Sequence, residues 1–308
     1  MKIFAHRGFS AQYPENTMLA FQRALETGCD GIELDVHFSR DRQLVIIHDD
    51  SLSRTMDAVG FVRHHTYHDL KNYHVKGNYE GERLHMPTLA EYLDYVKDYP
   101  IITNIELKND KFRYPEMEQA VVEMVKAKGM ADKVVLSSFR AESIQQIRAQ
   151  YPEMLCAWLV DRFDEHTLDR AKSLGCQAIH PLFRTLDKEK VEQCHRMGLV
   201  VRAYTVNSNE EMERAQEFGV DAIFTNDPQR GMKAVGRTAT FFPKEALQKA
   251  EELEKAPSQL AKQRMKLSRR TKKLSGGLLG IVLFMILSVV GSVLVALVVQ
   301  RLLSPFLS

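Results

Sequence analysis

Short β-branched runs alternate with amphipathic stretches from residue 1 to about 236, and this alternation constrains the chain more than any other feature. The apolar runs are Ile3–Ala5, Gly31–Val36, Ile101–Ile105, Val134–Ser137, Leu155–Leu159, Ala178–Ile179, Val200–Tyr204 and Ala222–Phe224. Helical periodicity fills the gaps at Thr17–Glu26, Leu89–Lys97, Glu116–Lys128, Glu142–Gln150, Glu165–Ser173, Lys188–Met197 and Glu210–Phe218. This is the pattern of repeated βα units on a parallel sheet. Eight such strands over roughly 240 residues fit a closed (β/α)8 TIM barrel, although an open doubly wound sheet shares much of the pattern.

One further run, Leu44–Ile47, breaks the alternation. Only residues 37–43 separate it from Val36, too few for a parallel crossover, so it must return antiparallel. A hairpin turning near Arg40–Arg42 sets His48 opposite Leu34 or Asp35. Residues 50–86 then form an insertion rich in histidine and tyrosine and weak in periodicity. On the loop face of a barrel, insertions of that length often cover or select substrate.

Charge is balanced at a formal net of +2, which gives no argument for nucleic-acid binding. Cys29, Cys156, Cys176 and Cys194 lie far apart with no metal-ligand spacing and are expected to be reduced core thiols of a cytosolic domain. The opening Met1-Lys2-Ile3-Phe4-Ala5 is too short for the apolar region of a secretory signal, so the first residues are expected to belong to the fold.

Beyond the barrel, assigned to residues 1–240, the character of the chain changes. Residues 241–273 are charged and read as a mostly helical stalk interrupted at Pro257, whose basic end also suits anionic lipid. From Leu274 to Val299 no residue is charged. As a helix rising ~1.5 Å per residue this segment reaches roughly 39 Å, enough for a hydrocarbon core of about 30 Å. One transmembrane helix is expected over 274–300, followed by a short tail, 301–308. Lys262, Arg264, Lys266, Arg269, Arg270, Lys272 and Lys273 precede it and only Arg301 follows, which keeps the N-terminal domain on the cytoplasmic side of the cell membrane. Gly276 and Gly280, with Ser288 and Ser292, have small-residue spacing that leaves a homodimer through the tail open.

A closed barrel would gather His6 and Arg7, Glu33 and Asp35, and Glu106 and Lys108 at one mouth. Alternation along a strand puts Glu33 and Asp35 on the same face, and Glu106-Leu107-Lys108 repeats the arrangement on the neighbouring strand. Three carboxylates aimed at one point repel unless a cation sits between them, and oxygen ligands suit Mg2+, Ca2+ or Mn2+ better than zinc. The alternative is that these acids pair with Arg7 and Lys108 as interior salt bridges. His6 and His48 are the candidates for general-acid and general-base work, because an ordinary imidazole pKa of about 6.5 permits either role. Most other histidines read as solvated; His180, at the end of a strand, is expected to face the same mouth.

The ordered series His6-Arg7-Gly8, Pro14-Glu15-Asn16-Thr17, Glu33-Leu34-Asp35, His48-Asp49, Pro87-Thr88-Leu89, Asn104-Ile105-Glu106-Leu107-Lys108, Ser137-Ser138-Phe139 and Thr225-Asn226-Asp227-Pro228 resembles the motifs of glycerophosphodiester phosphodiesterases. The resemblance covers residues 1 to about 236. It implies a (β/α)8 barrel that hydrolyses glycerophosphodiesters to glycerol 3-phosphate and an alcohol. It further implies that Glu33, Asp35 and Glu106 hold the divalent metal, that His6 and His48 are acid and base, and that Arg7 and Lys108 grip the phosphate. Where many members carry a tryptophan, this chain has Tyr204, and Tyr204 with Phe139 offers an aromatic wall to a glycerol backbone. Two other readings remain open: a membrane-tethered lysophospholipase D, which an apolar groove formed by residues 50–86 would favour, and a non-catalytic binding protein.

Overall fold

The computed structural model describes residues 1–237 apart from Asn78, Glu80 and Glu82. In chain order the strands are β1 (Lys2–His6), β2 (Gly31–Phe38), β3 (Leu44–Ile46), β4 (Ile102–Leu107), β5 (Val134–Ser138), β6 (Leu155–Val160), β7 (Ala178–Pro181), β8 (Val200–Ala203) and β9 (Ala222–Thr225). The main helices between them are α1 (Met18–Glu26), α2 (Tyr67–Leu70), α3 (Leu89–Val96), α4 (Met117–Ala127), α5 (Ala141–Gln150), α6 (Thr167–Leu174), α7 (Lys188–Arg196), α8 (Asn209–Phe218) and α9 (Pro228–Ala234). β1 pairs in parallel with both β2 and β9, so all the strands except β3 close into one parallel barrel. That closure excludes the open doubly wound sheet.

The sequence dictates the layering locally. Ile3 and Ala5 face the surrounding helices while Phe4 and His6 point inward; a Cβ on Gly231 of α9 would lie 2.8 Å from Ile3. Phe4 packs edge-on against Phe224 at 5.4 Å, and the room for its ring comes from Gly31, where a Cβ would also meet the Ile102 carbonyl oxygen at 2.6 Å. Truncating such a buried ring would cost about 3–5 kcal/mol.

β2 outruns its partner. β1 ends with His6 opposite Glu33, whereas Val36 pairs with Leu107 of β4 on one side and with Ile46 of antiparallel β3 on the other. β3 therefore takes the edge that β1 leaves free. Ile47 N–H donates to the Asp35 carbonyl at 3.1 Å, and extending the register sets His48 opposite Leu34, as the short gap in the sequence requires.

The insertion is a small packed layer in its own right. Leu52, Met56, Val62, Leu70, Val75 and Met86 are buried together against Val45 of β3 and Ile47 just past its end, and α2 opens on a Thr66–Asp69 capping box. Among the described residues no helix is long and apolar enough to cross a membrane; the expected stalk, transmembrane helix and tail lie outside the described residues.

Candidate active site

His6 leaves β1 into a tight turn. Arg7 (φ 57°) and Gly8 (φ 80°) are left-handed, and a Cβ on Gly8 would sit 2.7 Å from the Ala20 backbone of α1, so only glycine lets the loop close on the helix. The turn aims Arg7 N–H at Glu33 Oε2, 2.9 Å away. Strand register does the rest: Asp35 pairs with Glu106 and Glu33 with Asn104. Oxygens of Glu33, Asp35 and Glu106 all lie within 4.8 Å of one another, and all three residues are buried.

The surroundings leave this cluster short of positive charge. Asn16 donates to Asp35 Oδ2 at 2.8 Å, Arg7 Nε lies 3.5 Å from the same oxygen, and Lys108 donates to Glu106 Oε1 at 2.7 Å. Asp35 Oδ1 is buried without a hydrogen-bond partner, with Lys108 Nζ 3.7 Å away. Burial, reinforced by the facing Asp35 and Glu106, pushes Glu33 well above the usual carboxylate range. Burial raises Glu106 as well, against the pull of Lys108. Asp35 goes the other way: burial opposes ionisation, but Lys108 and Arg7 outweigh it. An orphaned carboxylate oxygen among three converging acids fits a hard divalent cation held by oxygen ligands. The alternative of interior salt bridges accounts for part of the cluster, Lys108 Nζ reaching Asp35 Oδ1 at 3.7 Å, but gives that oxygen no hydrogen bond.

The two histidines flank the acids. His6 Nδ1 is 2.7 Å from Asn226 Oδ1; because that oxygen only accepts, the proton belongs on Nδ1 and Nε2 is free. Burial, aided by the Arg7 charge, lowers His6 to about 4, so its imidazole is neutral near pH 7. His48 Nδ1 is 2.7 Å from Asp49 Oδ1, and its Nε2 lies 3.3 Å from Lys108 Nζ. His37 of β2 braces the same segment, with Nε2 at 3.2 Å from the His48 carbonyl oxygen and Nδ1 at 3.2 Å from the Tyr114 hydroxyl.

A cavity of about 200 Å³ opens beside these groups, lined on one side by His6, Arg7, Glu33, His48 and Glu106. Phe139, Leu159, Leu182, Tyr204 and Phe224 form the other side. Phe139 and Tyr204 meet edge to face at 6.0 Å, and Tyr204 is tied by its hydroxyl to the Val160 carbonyl at 3.1 Å. The expected aromatic wall is therefore present, whereas Lys108 stands behind the acids rather than on the cavity surface.

Two expectations need correction. His180 does not reach the mouth: it is fully buried in the barrel interior, against Phe224 at 5.0 Å and Arg202 Nη1 at 3.2 Å. Strand alternation turns it inward, but one level too deep, and Leu182 is the residue that follows it onto the cavity wall. Nor does any described residue of the insertion, 50–86, line the cavity. Sequence reasoning also missed Asn226, Asn16 and Glu15 as partners of His6, Asp35 and Arg7, although all three sit inside the motifs already quoted.

The model of the Glycerophosphoryl diester phosphodiesterase family matches residues 6–230. A glycerophosphodiester phosphodiesterase of Bacillus altitudinis is 38% identical over 237 residues, 75% of this chain and 97% of the relative. One from Caldanaerobacter subterraneus subsp. tengcongensis is 34% identical over 231 residues, covering 74% and 94%. The structure of an Oleispira antarctica phosphodiesterase in complex with the product sn-glycerol-3-phosphate superposes with a TM-score of 0.71 at 30% identity, over 77% of this chain and 97% of that one. With the whole barrel matched and its relatives matched over nearly their full length, the chain belongs to the glycerophosphodiester phosphodiesterase family of phosphoric diester hydrolases.

Proposed function

We propose that the chain hydrolyses small glycerophosphodiesters to glycerol 3-phosphate and an alcohol, with a divalent cation held by Glu33, Asp35 and Glu106. The observation that carries this reading is the trio of buried carboxylates within 4.8 Å, one oxygen unpartnered, set between His6 and His48. When bound, a Mg2+, Ca2+ or Mn2+ ion would supply Lewis-acid stabilisation of the charge that builds on phosphate and attacking oxygen. Arg7, on the cavity surface, grips the phosphate, and Lys108 adds positive charge from behind. His6, neutral and with Nε2 free, accepts the proton of the attacking hydroxyl, which comes from water or from the substrate's own glycerol. His48, once it carries a second proton on Nε2 while Asp49 holds the one on Nδ1, returns that Nε2 proton to the departing alcohol. Phe139 and Tyr204 hold the carbon skeleton of the substrate; a tyrosine where many relatives have tryptophan leaves that wall shorter and adds a fixed hydroxyl.

The cavity size supports headgroup-sized diesters such as glycerophosphocholine and glycerophosphoethanolamine over lysophospholipids, because the insertion adds no apolar groove to it. The uncharged stretch Leu274–Val299, with basic residues upstream, supports a single C-terminal anchor that keeps this domain at the cytoplasmic face of the membrane. Protease protection in sealed vesicles of known orientation tests that topology.

The decisive experiment is release of glycerol 3-phosphate by the full chain from both diesters, after chelation and after adding back each ion. Metal-restored release is the expected result. Cleavage of lysophospholipids alone would transfer the reading to a lysophospholipase D, and binding without turnover would leave a binding protein.

A further inference from the structure

No described residue of the insertion lines the cavity, yet one of its side chains reaches, through Glu15 and Asp49, two residues that do, Arg7 and His48. Arg54 grips two carboxylates at once. Its Nη1 and Nη2 donate to Glu15 Oε2 and Oε1, each at 2.7 Å. Its Nε and Nη2 donate to Asp49 Oδ2 at 2.6 Å and Oδ1 at 3.1 Å. Each of these acids in turn holds a residue of the mouth. Asp49 Oδ1 accepts from His48 Nδ1 at 2.7 Å, and Glu15 Oε1 accepts from Arg7 Nη1 at 3.0 Å. One guanidinium thus joins the β1–α1 loop to the segment after β3.

The geometry points to Arg54 as a positioning residue that holds His48 and Arg7 in working register, through Asp49 and Glu15 respectively. This rests on the roles given to those two residues above. The planar fork matters, because only an arginine presents donors that serve two carboxylates bidentately; a lysine would serve one at a time. The anchor behind it is firm. Leu52 and Met56, two residues to either side, are buried in the core of the insertion, so the backbone carrying Arg54 cannot drift while that core is intact. Chiefly through its hydrogen bond from Arg54, Asp49 is lowered to about 2. It stays an acceptor throughout the working range and holds a proton on His48 Nδ1, which leaves Nε2, turned to the site, as the nitrogen that carries the proton for the departing alcohol.

Arg54 is half-exposed, with 48% of its side chain open to solvent. Exposed ion pairs contribute little to stability, so its loss should show in catalysis more than in folding. In this way a segment none of whose described residues lines the cavity takes part in the reaction.

The test is Arg54→Ala in the full chain, with turnover, thermal stability and nitrogen NMR of the His48 ring measured together. Turnover should fall about 10- to 100-fold, the range in which supporting partners act, while Tm changes little. The His48 signal should change from a single Nδ1–H form to a mixture of tautomers. Guanidinium ion, far below denaturing concentration, should restore part of the turnover of Arg54→Ala and none in wild type; Arg54→Lys should not substitute. In an Asp49→Asn background the further loss of kcat on removing Arg54 should shrink to the part that acts through Glu15 and Arg7. Turnover within twofold of wild type, or an unchanged His48 tautomer, would overturn the proposal, as would a full additional loss in that background. Should Arg54→Ala fail to fold, Arg54→Gln keeps the aliphatic stem and a polar tip, drops the charge and carries the same comparison. A wild type that released no glycerol 3-phosphate would sink the catalytic reading, and the NMR arm would still decide the brace.

Discussion

Asp30 stands at the entrance of β2 on the floor of the barrel, and Asp35 stands on the same strand at its mouth, yet the two carboxylates meet opposite surroundings. Asp30 accepts from the backbone of Ile3 at 2.7 Å and from two nitrogens of Arg237 at 2.9 and 2.6 Å. The same device recurs one turn of the barrel away, where Asp221 accepts from Val201 N at 2.7 Å and lies 2.9 Å from His195 Nε2. Both aspartates clasp the neighbouring strand, Asp30 with partners on both its oxygens and Asp221 through Oδ2. At the mouth, Asp35 shares its space with Glu33 and Glu106, and one of its oxygens has no hydrogen bond. The floor uses negative charge to close the barrel, and the mouth gathers three carboxylates around only two cations, Arg7 and Lys108. The division follows the general habit of barrels, with chemistry at the C-terminal ends of the strands and stability at the other.

If that contrast is right, removing a mouth carboxylate should cost activity and not stability. Glu106→Gln is the most severe test: turnover should fall on the order of 1000-fold, while the metal-free Tm stays the same or rises, because one of three repelling acids is gone. Calorimetry of chelated protein checks it, and a fall in Tm as large as that of a floor variant would erase the distinction. Next come His6→Ala and His48→Ala, each expected to lower kcat by about 100-fold or more with the fold intact by circular dichroism. Near-normal turnover in either folded variant would remove that histidine from its role. A smaller effect is expected from Tyr204→Ala, which opens the wall of the cavity without touching the acids. KM for glycerophosphocholine should rise about tenfold, with kcat changed less, since one buried ring face contributes roughly 1–2 kcal/mol to holding the substrate.

The mouth was far more legible in the sequence than its supports. Glu33, Asp35 and Glu106 declare themselves because strand alternation allows no other placement once the barrel closes. His48 follows from a gap too short for a crossover. Arg54 does not declare itself: its partner Glu15 is 39 residues away, and the insertion that carries Arg54 has no periodicity from which to infer direction. His180 shows the limit of alternation, which tells inward from outward but not depth along the barrel axis. Leu159, Leu182 and Phe224 were invisible for a related reason, since a cavity wall and a core layer are built from the same apolar residues.

The mildest test lies at the floor. Asp30→Ala should leave kcat and KM unchanged, because none of its partners reaches the cavity, but it strips Ile3 N–H and Arg237 of their acceptor. Losing a charge-assisted pair of this kind costs about 1–3 kcal/mol, or roughly 5 °C for a domain of this size. The sign of its pH dependence is fixed. Burial would raise the Asp30 pKa, but Arg237 and the Ile3 N–H more than compensate and hold it below the ordinary value. Its contribution is therefore complete above the unfolded pKa of about 3.9 and disappears as pH falls through the lower folded value. The Tm gap between wild type and Asp30→Ala should accordingly be widest near neutrality and close in acid. A gap that persisted below that range would mean that the clasp works through packing and not through charge, and floor and mouth would no longer differ in what their carboxylates are for.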